Sequence, residues 1–104
     1  MVVIRNVFQL KFGKAREAVA LVKDGLAVQR QVAASAGMDV KFRVLTDVTG
    51  PFYTLVLELT IPSLSAFEQS APQIMGNAEW QANYQKLQAF VDSGYREIFT
   101  VVAE

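Results

Sequence analysis

A pair of strand-like segments joined by a turn constrains the fold of this chain more than any other feature. Residues 52–61, FYTLVLELTI, alternate between a strongly apolar set and a more polar set of side chains, as a half-buried β-strand does. Residues 39–47 are also predicted to form a strand, and the intervening Thr49-Gly50-Pro51 is typical of a hairpin connection. Because the two strands are neighbours in sequence, they are predicted to pair antiparallel.

The segment before this hairpin contains one strand and one long helix. Residues 2–10 are rich in β-branched and aromatic residues and alternate like a strand. Residues 15–36 are mostly good helix formers with apolar residues at helical spacing, and Gly37 is a natural C-terminal stop.

The segment after the hairpin is predicted to contain a short helix, a break, a second helix and a final strand. Ser65 has capping-box spacing for the short helix, and Ser63 is the alternative cap. Asn77 is predicted to cap the second helix, which is expected to end at Gly94 before a strand over residues 95–102.

This order of elements predicts an α+β fold of the ferredoxin-like, β-α-β-β-α-β type. In that arrangement the helices cover one face of a four-stranded antiparallel sheet and leave the other face open. The chain has 104 residues and no linker-like segment, so residues 1–104 are predicted to form a single domain.

The absence of cysteine and histidine excludes several classes of function. The chain contains neither residue, which removes disulfides, thiol catalysis, Ser-His-Asp triads, His- or Cys-ligated metals and proximal-His haem. We therefore expect no metal site and no cofactor.

The charge distribution argues against two further classes of partner. Ten basic residues balance ten acidic ones, so there is no positive field to attract nucleic acid. No apolar run approaches the roughly 20 residues of a membrane span, and the N-terminus lacks the pattern of a signal peptide. We expect no nucleic-acid partner, no membrane span and a cytoplasmic location.

The sheet face opposite the helices combines large apolar side chains with four charged ones. By strand alternation it should carry Arg5, Arg43, Glu58 and Glu97. These are expected to pair across strands in an interface or barrel interior; the alternative is an anion-binding or acid–base cavity. A large apolar patch on this face would be buried economically by a second copy, which predicts a homodimer with a closed barrel.

The helix-facing side of the first strand contains one amide. Alternation places Asn6 among apolar side chains, where it needs a partner, and the expected partner is Tyr84, Trp80 or a ligand. Trp80 and Tyr84 begin a helical stripe that continues through Leu87 and Val91. This stripe is either core packing or the lining of a pocket.

Four segments carry a resemblance to a known superfamily: TDVTGPFYTLVLE, SLSAFE, NAEWQANYQKL and YREIFTVV. With them the chain resembles the dimeric α+β barrel proteins, especially the short NIPSNAP-like and antibiotic-biosynthesis-monooxygenase-like members. The resemblance implies a homodimer with a ligand cleft between helices and sheet. Asn6 and Trp80 are similar to an asparagine and a tryptophan that help form this cleft in haem-degrading and quinone-forming members, whereas the histidine of the haem-degrading members is absent.

Two functions follow from the resemblance, and the sequence leaves open whether the protein is an enzyme. The first is a homodimeric small-molecule-binding or structural protein of NIPSNAP-like type, whose pocket would be closed or filled. The alternative is a cofactor-independent monooxygenase acting on an electron-rich aromatic or polyketide-like substrate, with an open cleft beside Asn6, Trp80 and Tyr84. No catalytic residue is assigned, and the candidate ligand is small and apolar or aromatic.

Overall fold

A computed structural model describes residues 1–104 as one four-stranded antiparallel sheet with three helices. The elements are β1 (Val2–Leu10), α1 (Ala15–Ser35), β2 (Lys41–Thr46), β3 (Thr54–Ile61), α2 (Leu64–Met75), α3 (Ala78–Gln88) and β4 (Val91–Thr100). The strand order is β2-β3-β1-β4, with all neighbours antiparallel. This is the predicted α+β, ferredoxin-like arrangement. None of the three helices combines the length and apolar character needed to cross a membrane.

The predicted hairpin is present, although both of its strands are shorter than expected. Strand β3 begins at Thr54 rather than at residue 52, because Tyr53 adopts a left-handed backbone conformation with φ of 59° that a strand does not accept. Asp47 holds the turn closed, since its Oδ1 accepts a hydrogen bond from the Thr54 N–H at 2.9 Å.

The helix caps confirm one prediction and correct another. Asn77 caps α3, since its Oδ1 accepts a hydrogen bond from the Trp80 N–H at 2.9 Å. Ser63 caps α2 by accepting from the Ala66 N–H at 3.0 Å, whereas Ser65 lies inside that helix. The capping-box assignment to Ser65 was wrong, because the helix starts two residues earlier and the alternative cap satisfies its first free N–H groups.

The predicted boundary at Gly94 was wrong. Helix α3 ends at Gln88, and β4 already begins at Val91, so Val91 belongs to the sheet rather than to the helical stripe. Gly94 lies within β4 directly opposite Phe8 of β1. A Cβ at Gly94 would lie 3.2 Å from Phe8 Cδ1. The glycine therefore makes room for an aromatic ring instead of ending a helix.

The hydrophobic core lies between the helices and one face of the sheet, on the strand parity that the sequence predicted. It forms two groups of buried residues. The first contains Ile4, Leu26, Ala33, Phe42, Leu59 and Ile61. The second contains Leu10, Ala18, Val22, Leu55 and Leu87. Helix α1 contributes to both groups and so spans the sheet from one to the other.

Candidate functional site

A cleft of about 500 Å³ lies between the sheet and the three helices, and most of its lining residues are apolar. Its floor comes from β1, β3 and β4, and its walls come from α1, α2 and α3. The volume falls within the usual range of small-molecule sites. Two other depressions, of about 750 and 830 Å³, are more open to solvent and lie on other sides of the protein.

The three residues predicted from the sequence, Asn6, Trp80 and Tyr84, all line this cleft. Trp80 and Tyr84 are one helical turn apart in α3, and their rings stack with centroids 5.0 Å apart and planes within 11°. Both side chains are half-buried. The stripe of α3 therefore lines a pocket in addition to packing against the core.

Asn6 has a different partner from those expected. The Arg96 Nε–H donates to Asn6 Oδ1 at 2.7 Å, so neither Tyr84 nor Trp80 is the partner. The physical reason is the sheet register, which places Asn6 and Arg96 directly opposite each other on β1 and β4. The bond orients the guanidinium group beside the cleft that both residues line.

Arg96 is a cleft residue that the sequence analysis missed. Its guanidinium carbon lies 5.4 Å from the centroid of the Phe67 ring, which fits a cation–π contact. The ion pairs in the protein all involve Glu58 on the other sheet face, so Arg96 has no carboxylate partner. Arg96 could have been identified from the strand alternation through residues 93–98, which places this arginine on the helix-facing side.

Gln29 is a second cleft residue that the sequence analysis missed. It lies on α1, lines the cleft and is only 7% exposed. Its Oε1 is buried without a hydrogen-bond partner. Gln29 could have been identified from its spacing, because it follows Val22 and Leu26 on the apolar stripe of α1.

One wall of the cleft is fixed by a close contact between α1 and α3. Asn83 Nδ2 donates to the Leu21 carbonyl oxygen at 2.8 Å. Gly25 permits this approach, because a Cβ at that position would lie 2.7 Å from Asn83 Nδ2. The hydrogen bond and the glycine together hold Trp80 and Tyr84 at a set distance from α1.

The predicted polar cluster lies on the opposite face of the sheet, and three of its four members come together. Arg43 Nε donates to Glu58 Oε1 at 3.0 Å, and its Nη2 contacts the same oxygen. Arg5 Nε lies 4.0 Å from Glu58 Oε2. Glu97 faces Arg5 in the register of β1 and β4 but makes no ion pair with it. Glu58, at 7% exposure, is the buried centre of the cluster.

The side chains of the cleft offer hydrogen bonding, one positive charge and aromatic surfaces for stacking. Its polar lining residues include Asn6, Gln29, Asn83, Tyr84 and Arg96, together with Trp80, Ser93 and Tyr95. Nowhere in the protein do three His, Cys, Asp or Glu side chains lie close enough to hold a metal ion. The aromatic rings offer flat surfaces for stacking, and the amides and guanidinium offer hydrogen bonds.

Comparison with solved structures identifies the fold. A NIPSNAP domain protein from Burkholderia xenovorans superposes with a TM-score of 0.84 at 16% identity, over 99% of this chain and 96% of that one. A NIPSNAP family protein from Agrobacterium tumefaciens gives 0.81 at 19% identity, over 95% and 90%. An antibiotic biosynthesis monooxygenase-like protein from Nitrosomonas europaea gives 0.73 at 13% identity, over 99% and 100%. No protein-family model matches the sequence, and no curated protein matches it.

Proposed function

We propose that this protein, which has the fold of the NIPSNAP-domain proteins, is a homodimer that binds a small apolar or aromatic molecule in the cleft between helices and sheet. The observation that carries the proposal is the open cleft of about 500 Å³ beside Asn6, Trp80 and Tyr84. For a protein of this type the sequence predicted a closed or filled pocket. A cleft of about 500 Å³ contradicts that expectation and favours binding over a purely structural role. On this proposal residues 1–104 act as one domain.

The dimer is supported by the face of the sheet that no helix covers. Tyr95 and Phe99 of β4 lie on this face and are 61% and 51% exposed in the single chain. Val7 and Val56 continue the apolar face across β1 and β3. They are only 8% and 7% exposed, so the exposed apolar surface comes mainly from β4. A second copy placed on this face would remove the apolar surface from water.

Blocking the cleft is expected to abolish binding of a flat aromatic probe. Ala71 of α2 lines the cleft and is half-buried, so Ala71→Phe places a ring inside it. Displacing one buried aromatic group costs about 1.5–3 kcal/mol, and we expect about tenfold weaker binding or more. Quercetin is a suitable probe, because it should quench the fluorescence of Trp80, the one tryptophan of the chain.

The matched control is Ala82→Phe, which adds the same ring on an exposed position of α3 outside the cleft. This variant should bind quercetin like the wild-type protein. If quercetin quenched Trp80 in both variants at the same concentrations as in the wild-type protein, the location of the site would be contradicted. Absence of saturable quenching by quercetin and by other flat aromatic molecules would contradict the proposed binding function.

Cofactor-independent oxygenation is the second candidate, and the open cleft next to both Asn6 and Trp80 favours it. In such a reaction an electron-rich aromatic substrate supplies the electrons, and the protein supplies orientation and a polar contact. Asn6 provides that contact and also holds Arg96. The assignment would make Asn6 necessary for turnover.

Asn6→Ala is therefore expected to abolish oxygen uptake with any polyphenol that the wild-type protein oxidises, without unfolding the chain. The measurement is oxygen consumption in an electrode, with circular dichroism to check the fold. Gln85→Ala, an exposed position on α3 outside the cleft, is the control. Unchanged oxygen uptake in the Asn6 variant would remove Asn6 from the reaction, and no uptake with a broad set of polyphenols would leave binding as the function.

A further inference from the structure

The cleft contains one positive charge that the protein itself does not neutralise. Arg96 uses its Nε–H on the Asn6 amide and rests against the Phe67 ring, yet no carboxylate lies within ion-pair distance of it. The other N–H groups of the guanidinium are free to donate, and this fork geometry suits an anionic oxygen pair. Asn6 holds the side chain in place, so the charge is positioned before any ligand arrives.

The wall of the cleft that α1 forms contains a buried polar group without a partner. The Gln29 side chain makes no hydrogen bond in the protein, and its Oε1 is shielded from solvent. A buried amide without a hydrogen-bond partner destabilises the folded protein, so few native structures contain one without a reason. Because Gln29 lines the cleft, a ligand hydroxyl can supply the missing bond, and a hydroxyl fits either orientation of the amide since it both donates and accepts.

The remainder of the cleft favours a flat apolar body. The parallel rings of Trp80 and Tyr84 form one wall, and Phe8 and Phe67 contribute two further rings to the lining. Offset stacking between aromatic rings is favourable at these separations. A planar ring system therefore packs against the apolar lining better than a flexible chain of the same size would.

From these features we infer that the ligand of the cleft is a hydroxylated aromatic acid, whose ionised acid group pairs with Arg96 and whose hydroxyl bonds to Gln29. The inference rests on the proposed binding function and specifies its ligand class. Arg96 stands at the exposed edge strand β4, so the acid group keeps some contact with water, whereas the hydroxyl enters the buried end near α1.

Four naphthalene compounds test the two contacts separately. They are naphthalene, 2-naphthol, 2-naphthoic acid and 6-hydroxy-2-naphthoic acid, which share one ring system and differ only in the acid group and the hydroxyl. Binding is measured by calorimetry on the purified full chain. In the wild-type protein the acid group should strengthen binding about tenfold or more, and the hydroxyl about threefold to tenfold.

Two variants remove the free charge by different routes. Arg96→Gln deletes the guanidinium, and Asn6→Asp gives Arg96 an internal carboxylate at the position of its present partner. In both, the affinity ratio of 2-naphthoic acid to naphthalene should fall toward one. Arg30→Gln, at an exposed position of α1 outside the cleft, removes an equal charge and should leave this ratio unchanged. Gln29→Leu should remove the gain from the hydroxyl, with the exposed Gln31→Leu as its control.

The inference is overturned if the wild-type protein binds naphthalene and 2-naphthoic acid equally well, or if Arg96→Gln and Asn6→Asp keep the preference for the acid. A hydroxyl effect that survives Gln29→Leu overturns the assignment of that contact. In those cases the proposed binding function stands, because the ring system still binds. If none of the four compounds binds to a protein that still binds quercetin, the inferred ligand class is overturned and the binding function stands. If quercetin also fails to bind, the binding function is overturned and the inference falls with it.

Discussion

Phe99→Asp is expected to convert the proposed dimer into a monomer. Phe99 lies on the uncovered face of β4 and is 51% exposed in the single chain. Burying a phenylalanine contributes about 1.5–3 kcal/mol, and a two-fold dimer loses this twice. The variant also brings an unpaired carboxylate into an apolar interface, so the dissociation constant should rise by at least about a hundredfold. In sedimentation velocity at micromolar concentration, the mass of the sedimenting species should fall from that of a dimer, twice 11.5 kDa, to that of the 11.5 kDa chain.

The neighbouring residue provides a matched control for this substitution. Ile98 is 44% exposed, similar to Phe99, but it points to the helix-facing side of the same strand, opposite Ile4. Ile98→Asp adds the same charge one residue away and should leave the dimer intact. A wild-type protein that sediments as a stable monomer would contradict the dimer, and equal dissociation by both variants would contradict the choice of face.

Leu55→Ala is expected to cause a large loss of stability. Leu55 of β3 is fully buried and packs with Leu10, Val22 and Leu87. Truncating a leucine in such a site costs about 2–5 kcal/mol, because the transfer energy is lost and a cavity remains. Total stabilities of small domains are about 5–15 kcal/mol. Urea unfolding followed by circular dichroism should therefore show a much lower midpoint.

Leu64→Ala is the control for this truncation. Leu64 is the first residue of α2 and is 46% exposed, so the same chemical change should alter the free energy of unfolding by no more than about 0.5 kcal/mol. If the two variants had similar midpoints, the burial of Leu55 between sheet and helices would be contradicted.

The elements of the fold could be predicted because each depends on a local pattern. Alternation identified β1 and β3 and the face that each presents to the helices, and Asn77 marked the start of α3. Gly94 misled the prediction, because a glycine in sequence does not show whether it ends a helix or makes room for a ring. Only the pairing of β4 with β1, which brings Phe8 over Gly94, distinguishes these roles.

The candidate site could be predicted only in part. Asn6, Trp80 and Tyr84 were found because strand parity and helical spacing placed them on the inner side, and the resemblance pointed to the same asparagine and tryptophan. Arg96 and Gln29 were missed, since an arginine on an edge strand and a glutamine on a long helix usually face water. Homodimerisation and cytoplasmic location stay predictions.

The sequence by itself determined the order of elements, the inner and outer face of each strand, and the absence of histidine and cysteine chemistry. These depend on residue type and short-range spacing. The tertiary structure alone decided that Asn6 bonds to Arg96, that Glu58 pairs with Arg43, and that a cleft stays open between α3 and the sheet. Those outcomes depend on the register of distant strands and on how closely helices approach, and neither is encoded in local periodicity.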